Sequence, residues 1–165
     1  MRYLLWRKRV PRAAVKALDT LKKSDLDEVK ALKKPPQKVK LTLETVCVML
    51  GLKPRKVGKA WDFWPTAQHE LLNNPNKMLQ QLQEYDRDHM SDDLVLQIRE
   101  KYWDDPMFQP KAVEKASVAC FGLCKWVRAI CQYHDVAKVV APLVAKGRKV
   151  FLHDVNAEAR WVEGD

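Results

Sequence analysis

The chain has 165 residues, of which 47% are hydrophobic and 31% are charged, and its formal net charge is +9. This composition is typical of one soluble domain of ordinary size. No apolar run approaches the ~20 residues that span a membrane, and nothing resembles a secretory signal. The sequence therefore predicts an intracellular protein without a membrane partner.

The charge is unevenly distributed along the chain. Residues 1–60 hold 17 Lys and Arg against 5 Asp and Glu, residues 61–110 hold 4 against 10, and residues 111–165 hold 9 against 6. Two basic ends that fold together present a basic face, which attracts polyanions at long range. Nucleic acid and an acidic protein surface are the two kinds of partner that this pattern favours.

The hydrophobic periodicity predicts an all-α fold. Only five Gly are present, and no alternating pattern of useful strand length is found. In chain order, the predicted helices span 13–34, 37–50, 61–72, 76–90, 91–103 and 111–140, and the basic run 53–59 is read as a loop. Residues 104–110 are predicted to form a turn.

The helix predicted over residues 37–50 has apolar residues on two sides. The pair Pro35-Pro36 ends the preceding helix, because proline lacks a backbone donor and disfavours helical geometry before it. One stripe consists of Val39, Leu43, Val46 and Leu50, and the opposite side carries Leu41 and Val48. One stripe suits an internal core. The other requires a second cover, from this chain or from a partner.

The last predicted helix carries a coiled-coil seam. Leu123, Trp126, Ile130, Tyr133 and Ala137 repeat with alternating gaps of 3 and 4 residues. A second, overlapping seam has the same gaps, so the helix could meet a partner in more than one register. The alternative is a wide apolar face packed into a bundle. The first and last long helices are predicted to pair antiparallel as a stalk.

The motifs for catalysis and for metal binding are weak. Cys120, Cys124, Cys131 and His134 share one helix face, but buried free cysteines at helix interfaces explain this spacing better than zinc does. The pair Gly58-Lys59 raises the alternative of a small ATPase, although the surrounding residues do not match a phosphate-binding loop. The sequence predicts no catalytic residue, no metal site and no cofactor.

Two separated stretches carry a resemblance to a known family. They are PPQKVKLTLETVCVMLGL at 35–52 and VEKASVACFGLCKWVRAICQYHDV at 113–136, followed by VVAP at 139–142. On these motifs the chain resembles the microtubule-binding stalk head of dynein heavy chains, over about residues 13–145. The stretches WDFWPTAQHELLNNPNKMLQQLQEYDRDHM and CKWVRAICQY are more similar to the axonemal branch than to the cytoplasmic one.

The resemblance implies a small helical-bundle head on a short antiparallel coiled-coil stalk. The implied segments are an N-terminal tail outside the stalk (1–12), an incoming stalk helix (13–34), the head (35–118), an outgoing stalk helix (119–147) and a C-terminal tail (148–165). It further implies that the chain is a fragment of an ATP-driven motor whose ATPase lies elsewhere. The implied location is the cytoplasmic cytoskeleton, in the axoneme of a cilium or flagellum.

The resemblance also assigns residues. The family's tubulin-contacting lysine falls on Lys40, with Glu44 one turn later, and a charged pair falls on Lys111 and Lys115. Lys111 departs from the cytoplasmic pattern, which has Glu there. The expected microtubule-binding residues are Lys38, Lys40, Glu44, Thr45, Arg99, Lys101, Lys111 and Lys115. The implied partners are tubulin and the remainder of the heavy chain, and a basic helical nucleic-acid-binding domain is the alternative.

Overall fold

The computed structural model describes residues 12–87, 90–147, 150–153 and 159–162. Its α-helices are α1 (Arg12–Asp19), α2 (Lys23–Lys30), α3 (Gln37–Met49), α4 (Trp64–Thr66), α5 (Pro75–Gln83), α6 (Asp92–Ile98), α7 (Pro110–Glu114) and α8 (Val118–Ala145). π-helical turns follow α4 (Ala67–Leu72) and α6 (Arg99–Trp103), and a 3-10 turn spans Pro106–Phe108. The predicted helical-bundle fold is confirmed.

Two small antiparallel hairpins interrupt the helical fold. They are β1 (Arg55–Val57) with β2 (Ala60–Asp62), and β3 (Val150–His153) with β4 (Ala159–Val162). The expectation of a fold without strands is therefore wrong at these two places. Strands of three or four residues are too short for an alternating pattern to stand out in a sequence.

Helix α3 begins and ends where the sequence predicts. The backbone N–H groups of Val39 and Lys40 donate to the carbonyl of Pro36, so the proline pair starts the helix. At the other end Gly51 has φ +73°, and the N–H of Leu52 donates to the carbonyl of Cys47 at 2.9 Å. This arrangement is a Schellman motif, in which glycine adopts the left-handed conformation at no steric cost.

The second apolar side of α3 is covered by this chain. Leu41 and Val48 are each only 9% exposed. The 3-10 turn, α7 and α8 all contact α3, together with α4 and α6. The question that the sequence left open is therefore answered: α3 lies in the middle of the bundle and does not need a partner to bury its second stripe.

The incoming stalk helix predicted over 13–34 is instead two short helices, α1 and α2. The hydroxyl of Thr20 donates to the carbonyl of Ala17 at 2.9 Å, and the N–H of Leu21 donates to the carbonyl of Leu18 at 3.0 Å. A threonine hydroxyl bonded to the backbone competes with continued helix hydrogen bonding. The chain therefore turns between the two helices, and Leu21 is buried at the turn.

Three predicted segments in the middle of the chain need correction. Residues 53–59 form part of the first hairpin rather than a loop alone, with Gly58 at φ +63° in its turn. The helix predicted over 61–72 begins only at Trp64, because residues 60–62 form β2. Helix α5 ends at Gln83 rather than at residue 90, and beyond it the Tyr85 hydroxyl donates to the carbonyl of Met49 at 2.9 Å.

Two helices in this region begin with side-chain caps. The side chain of Asn74 accepts from the N–H of Lys77 at 3.1 Å, with Pro75 as the first residue of α5. The hydroxyl of Ser91 accepts from the N–H of Leu94 at 3.2 Å, which caps α6. Both are standard N-cap interactions, in which a short polar side chain satisfies a backbone donor that lacks a helical acceptor.

The predicted last helix, 111–140, is divided and shifted. Helix α7 ends at Glu114, and the hydroxyl of Ser117 accepts from the N–H of Cys120 at 3.2 Å to begin α8. At the other end α8 continues through Pro142, which was expected to lie beyond it, to Ala145. Proline removes one donor there, but the following residues keep helical hydrogen bonds, as Lys146 to the carbonyl of Pro142 shows.

One hydrophobic core joins α1, α2 and α8 to the head. Its largest fully buried side chains include Trp126, Tyr102, Phe108, Leu26 and Met78. All four cysteines are free thiols in this core, and burial raises the pKa of each to about 12. Across the described part of the chain, no helix is long and apolar enough to cross a membrane.

Candidate functional site

A row of charged side chains lies along the outer side of α3. Between residues 38 and 49 only Lys38, Lys40 and Glu44 are not buried. Lys40 and Glu44 are four residues apart, so they are neighbours on one helix face. This face is the part of α3 that an external partner could reach.

Lys40 is paired with the first hairpin. Its Nζ lies 3.4 Å from Oδ2 of Asp62, and both side chains are about one-third exposed, at 34% and 33%. The other carboxylate oxygen of Asp62 accepts from the backbone N–H of Trp64 at 2.9 Å, which fixes the carboxylate in place. The hairpin therefore supplies an acidic neighbour for the lysine that the resemblance singles out. Sequence reasoning did not include Asp62.

Glu44 is paired with the π-helical turn that follows α6. The Nζ of Lys101 lies 3.9 Å from Oε1 of Glu44, with the lysine side chain 58% exposed. Glu44 also affects the neighbouring Tyr102. The pKa of the Tyr102 hydroxyl is raised above its ordinary value, mainly by burial and secondly by the Glu44 carboxylate, so this hydroxyl stays neutral. Asp62, Lys40, Glu44 and Lys101 thus alternate in sign across the face.

Thr45 does not belong to this surface, and the prediction that it contacts a partner is wrong. Its side chain is fully buried, and its hydroxyl donates to the carbonyl of Thr42 at 2.6 Å. Successive residues of a helix are about 100° apart, which is enough to move position 45 from the outer face, where position 44 lies, to the core. Because both apolar sides of α3 are buried, this offset of one residue decides whether a side chain is exposed or buried.

Arg99 belongs to a second cluster, between the head and α8. It is ion-paired with Asp135, and its guanidinium lies 4.3 Å from the ring centroid of Trp103. The guanidinium of Arg128 lies 4.1 Å from the same centroid and donates to the Trp103 carbonyl at 3.0 Å. Such stacking is favourable when the cation is partly desolvated. The structure therefore places Arg99 against the outgoing helix rather than in the α3 row.

Lys111 and Lys115 are exposed at the two ends of α7. This helix packs against both α3 and α8. The eight predicted residues therefore divide into groups. Lys40 and Glu44 share one face of α3, where Lys40 pairs with Asp62 and Glu44 with Lys101. Lys38 is partly buried on the first turn of α3, Lys111 and Lys115 lie on a neighbouring helix, and Arg99 and Thr45 lie elsewhere.

The first hairpin is an exposed, basic feature that the sequence did not reveal. Trp61 is 68% exposed and Val57 is 53% exposed, although both are large hydrophobic residues. Arg55 is paired with Glu70 at 3.2 Å. A glycine inside the basic run was the signal available, since Gly58 occupies the left-handed conformation that tight turns require.

The predicted stalk seam on α8 is buried. Leu123, Trp126, Ile130 and Tyr133 are at most 3% exposed, and Ala137 is half-buried. Trp126 meets the ring of Tyr85 edge to face, with centroids 5.3 Å apart. The seam therefore contacts both the incoming helix and the head, which combines the coiled-coil interpretation with the alternative of a wide bundle face.

Thiols and histidines do not assemble into a metal site in the described residues. Instead the thiol of Cys124 contacts the Phe108 carbonyl at 3.4 Å, and His134 Nε2 lies 2.7 Å from Oδ1 of Asp92. The shared helix face of Cys120, Cys124 and Cys131 is a packing face.

Comparison with known proteins identifies the family. The family model "Microtubule-binding stalk of dynein motor" matches residues 8–160. The solved structure "Microtubule Binding Domain of DYNEIN-C" has a TM-score of 0.70 and 40% identity, and covers 89% of this chain and 97% of that one. The chain belongs to the dynein microtubule-binding stalk family. The matched region is the stalk of the motor and not its ATPase domain.

Relatives with similar sequences are axonemal. Dynein axonemal heavy chain 3 of Mus musculus is 45% identical over 137 residues, which are 79% of this chain. Dynein axonemal heavy chain 1 of the same species is 41% identical over 132 residues, or 76% of the chain. In both cases the match spans only 3% of the relative's length. The chain therefore corresponds to one small part of these heavy chains, and the predicted resemblance to the axonemal branch is confirmed.

Proposed function

We propose that the head binds the microtubule through the outer face of α3, with Lys40 as its central contact and Lys101, Lys38, Lys111 and Lys115 around it. The observation that carries this proposal is the position of Lys40 in the only part of α3 that is not buried between residues 38 and 49. Tubulin presents an acidic surface, so exposed lysines favour encounter and correct orientation.

The ion pairs of this face keep its affinity moderate. An acidic partner competes with Asp62 for Lys40 and with Glu44 for Lys101. Both pairs are partly exposed to solvent, where such pairs contribute little and are weakened by salt. Exchange of one carboxylate partner for another therefore suits reversible, salt-sensitive attachment.

The relatives support a wider role. We propose that the chain serves an ATP-driven motor whose ATPase lies outside these residues, in the axoneme of a cilium or flagellum. The proposed division is tail 1–12, incoming stalk 13–34, head 35–118, outgoing stalk 119–147 and tail 148–165. The remainder of the heavy chain is then the second partner, joined through the two stalk segments.

Co-sedimentation with microtubules over a salt series tests the proposed face. We expect Lys40→Glu to weaken binding about tenfold, because it places a third carboxylate beside Asp62 and Glu44. Lys30→Glu is the matched control with the same change of charge, at an exposed residue of α2. Equal effects of the two variants would show that bulk charge, rather than the α3 face, is responsible.

A second measurement separates docking on the folded surface of tubulin from attraction to its acidic tails. Microtubules whose acidic tails have been removed by protease are expected to keep saturable binding of the wild-type chain. Loss of all binding on tail removal, with Lys40 indifferent, would contradict the proposal. Tighter binding to duplex nucleic acid in a gel shift would favour the alternative, which rests on the strongly basic first sixty residues.

A further inference from the structure

The segment formed by α6 and its π-helical turn is tied to the outgoing helix at its start, at Arg99 and at Trp103, whose carbonyl accepts from Arg128. At its start, the Asp92 carboxylate lies 2.7 Å from His134 Nε2 and 3.0 Å from Lys138 Nζ. At the first residue of the π-helical turn, Arg99 pairs with Asp135. Asp92 and Arg99 are seven residues apart on the segment, so their contacts help to set the angle between the segment and α8.

The three groups at the first anchor differ in exposure. The His134 side chain is only 12% exposed, whereas those of Asp92 and Lys138 are 65% and 57% exposed. His134 and Lys138 are four residues apart on one helix, so a single carboxylate can reach both. The imidazole is held between α8 and the head, while the carboxylate side of the contact remains accessible to solvent.

The charged groups around His134 come from several elements. Asp92 and Asp93 begin α6, and Arg99 in the following turn is already occupied by Asp135. Lys138 lies on the same helix as His134. Arg87 lies 5.7 Å from the ring centroid of the adjacent Tyr133. Helix α1, which packs against α8, carries Lys16 and Asp19, which are exposed. Asp92 is therefore the carboxylate in hydrogen-bond contact with the imidazole.

The Asp92 carboxylate stays ionised over the physiological range. The hydrogen bond with His134, and then that with Lys138, hold the pKa of Asp92 below its ordinary value. A depressed pKa in the folded state means that the stabilisation is present above the ordinary pKa and is lost as the pH falls through the acid range. Asp92 therefore presents a carboxylate to both His134 and Lys138, so the charge on the imidazole decides how strongly this anchor holds.

We propose that Asp92, His134 and Lys138 form a pH-dependent clasp that holds the start of α6 on the outgoing helix. With His134 protonated, the carboxylate meets two cations, and both hydrogen bonds are charge-assisted. When His134 loses its proton, Lys138 alone provides the charge, and the anchor weakens. The contacts that Arg99 and Trp103 make with α8 do not involve His134, so the segment loosens at its start and stays attached at these two residues.

Hydrogen exchange measured by NMR on the full chain tests the clasp. On raising the pH from about 6 to about 8, we expect the protection of α6 amides, corrected for intrinsic exchange, to fall about threefold. His134→Gln keeps a neutral hydrogen-bonding side chain and should remove this pH dependence. Asp92→Asn should do the same, with low protection at both pH values.

The controls separate the clasp from general effects of pH. His69→Gln changes an exposed histidine of the head and is expected to leave the threefold change in place. Amides of α3 provide an internal reference within the same sample. The proposal is overturned if His134→Gln keeps the wild-type pH dependence, or if protection in α6 does not respond to pH in the wild-type chain. Neither outcome bears on microtubule binding, so the two proposals fail independently.

Discussion

The two arms that join the head differ in how they are attached. The incoming arm, α1 and α2, packs through small and apolar side chains such as Ala14, Ala17 and Leu26. Its polar contact with the head, from Lys30 Nζ to Asn73 Oδ1 at 3.2 Å, is exposed to solvent. The outgoing arm, α8, adds ion pairs and cation–π contacts to its apolar face.

This difference has a physical consequence. Apolar contact depends on buried area and has little directional preference, whereas ion pairs and hydrogen bonds require particular atoms to meet. The outgoing arm is therefore held in one position by its charged contacts, and the incoming arm is held mainly by shape. Substitutions in each arm can break or sharpen this contrast.

The largest expected effect is on the outgoing arm. Trp126→Ala removes a side chain that is 1% exposed and lies against Tyr85, and should lower the free energy of unfolding by about 3–5 kcal/mol. Urea denaturation followed by circular dichroism measures this change. Gln132→Ala, at an exposed position of the same helix, should change the free energy by less than about 0.5 kcal/mol. A loss below about 1 kcal/mol for Trp126→Ala would show that the seam is not closely packed.

The contact between the arms is sensitive to a single methyl group. A Cβ at Gly122 would lie 2.9 Å from the carbonyl oxygen of Ala17 and 3.1 Å from a methyl carbon of Leu21. Because a backbone atom is involved, α1 must move away, and Gly122→Ala should destabilise the chain by about 1–2 kcal/mol after its gain in helix propensity. The same denaturation measurement applies. An increase in stability would mean that the incoming arm shifts without loss.

The polar contacts of the two arms should also differ. Arg128→Ala removes hydrogen bonds to the carbonyls of Trp103 and Phe108 as well as the stacking on Trp103, so we expect a loss of about 1–2 kcal/mol. Lys30→Ala removes one exposed hydrogen bond on the incoming arm and should cost less than about 0.5 kcal/mol. Thermal unfolding of the two variants compares them directly. Equal losses would remove the distinction between the arms.

The sequence was a good guide to the boundaries that short-range chemistry controls. The proline pair at 35–36, Gly51, Asn74 and Ser91 each mark a helix end in the structure, because each acts on neighbouring backbone groups. The sequence was a poor guide to α1, α2 and the first hairpin. Their limits depend on where the chain turns to meet residues distant in sequence, as Leu21 does with Gly122.

The candidate site shows the same division. Position 40 could be chosen from the motif, but its pairing with Asp62 depends on a hairpin that the motif does not contain. Thr45 was assigned to the surface because one side of α3 was expected to face outward. Both apolar sides of α3 are covered, so the structure decides that position 45, about 100° from position 44, lies in the core.

The sequence alone determined the helical class, the family and several helix ends, because these follow from local backbone chemistry and from motif order. Only the tertiary structure decided which charges remain exposed, which are paired, and how each arm holds the head. Periodicity identifies side chains that avoid water, but it does not name the neighbour that covers them. The pairs Lys40 with Asp62 and His134 with Asp92 join residues 22 and 42 positions apart. Such pairs exist only after the chain has folded.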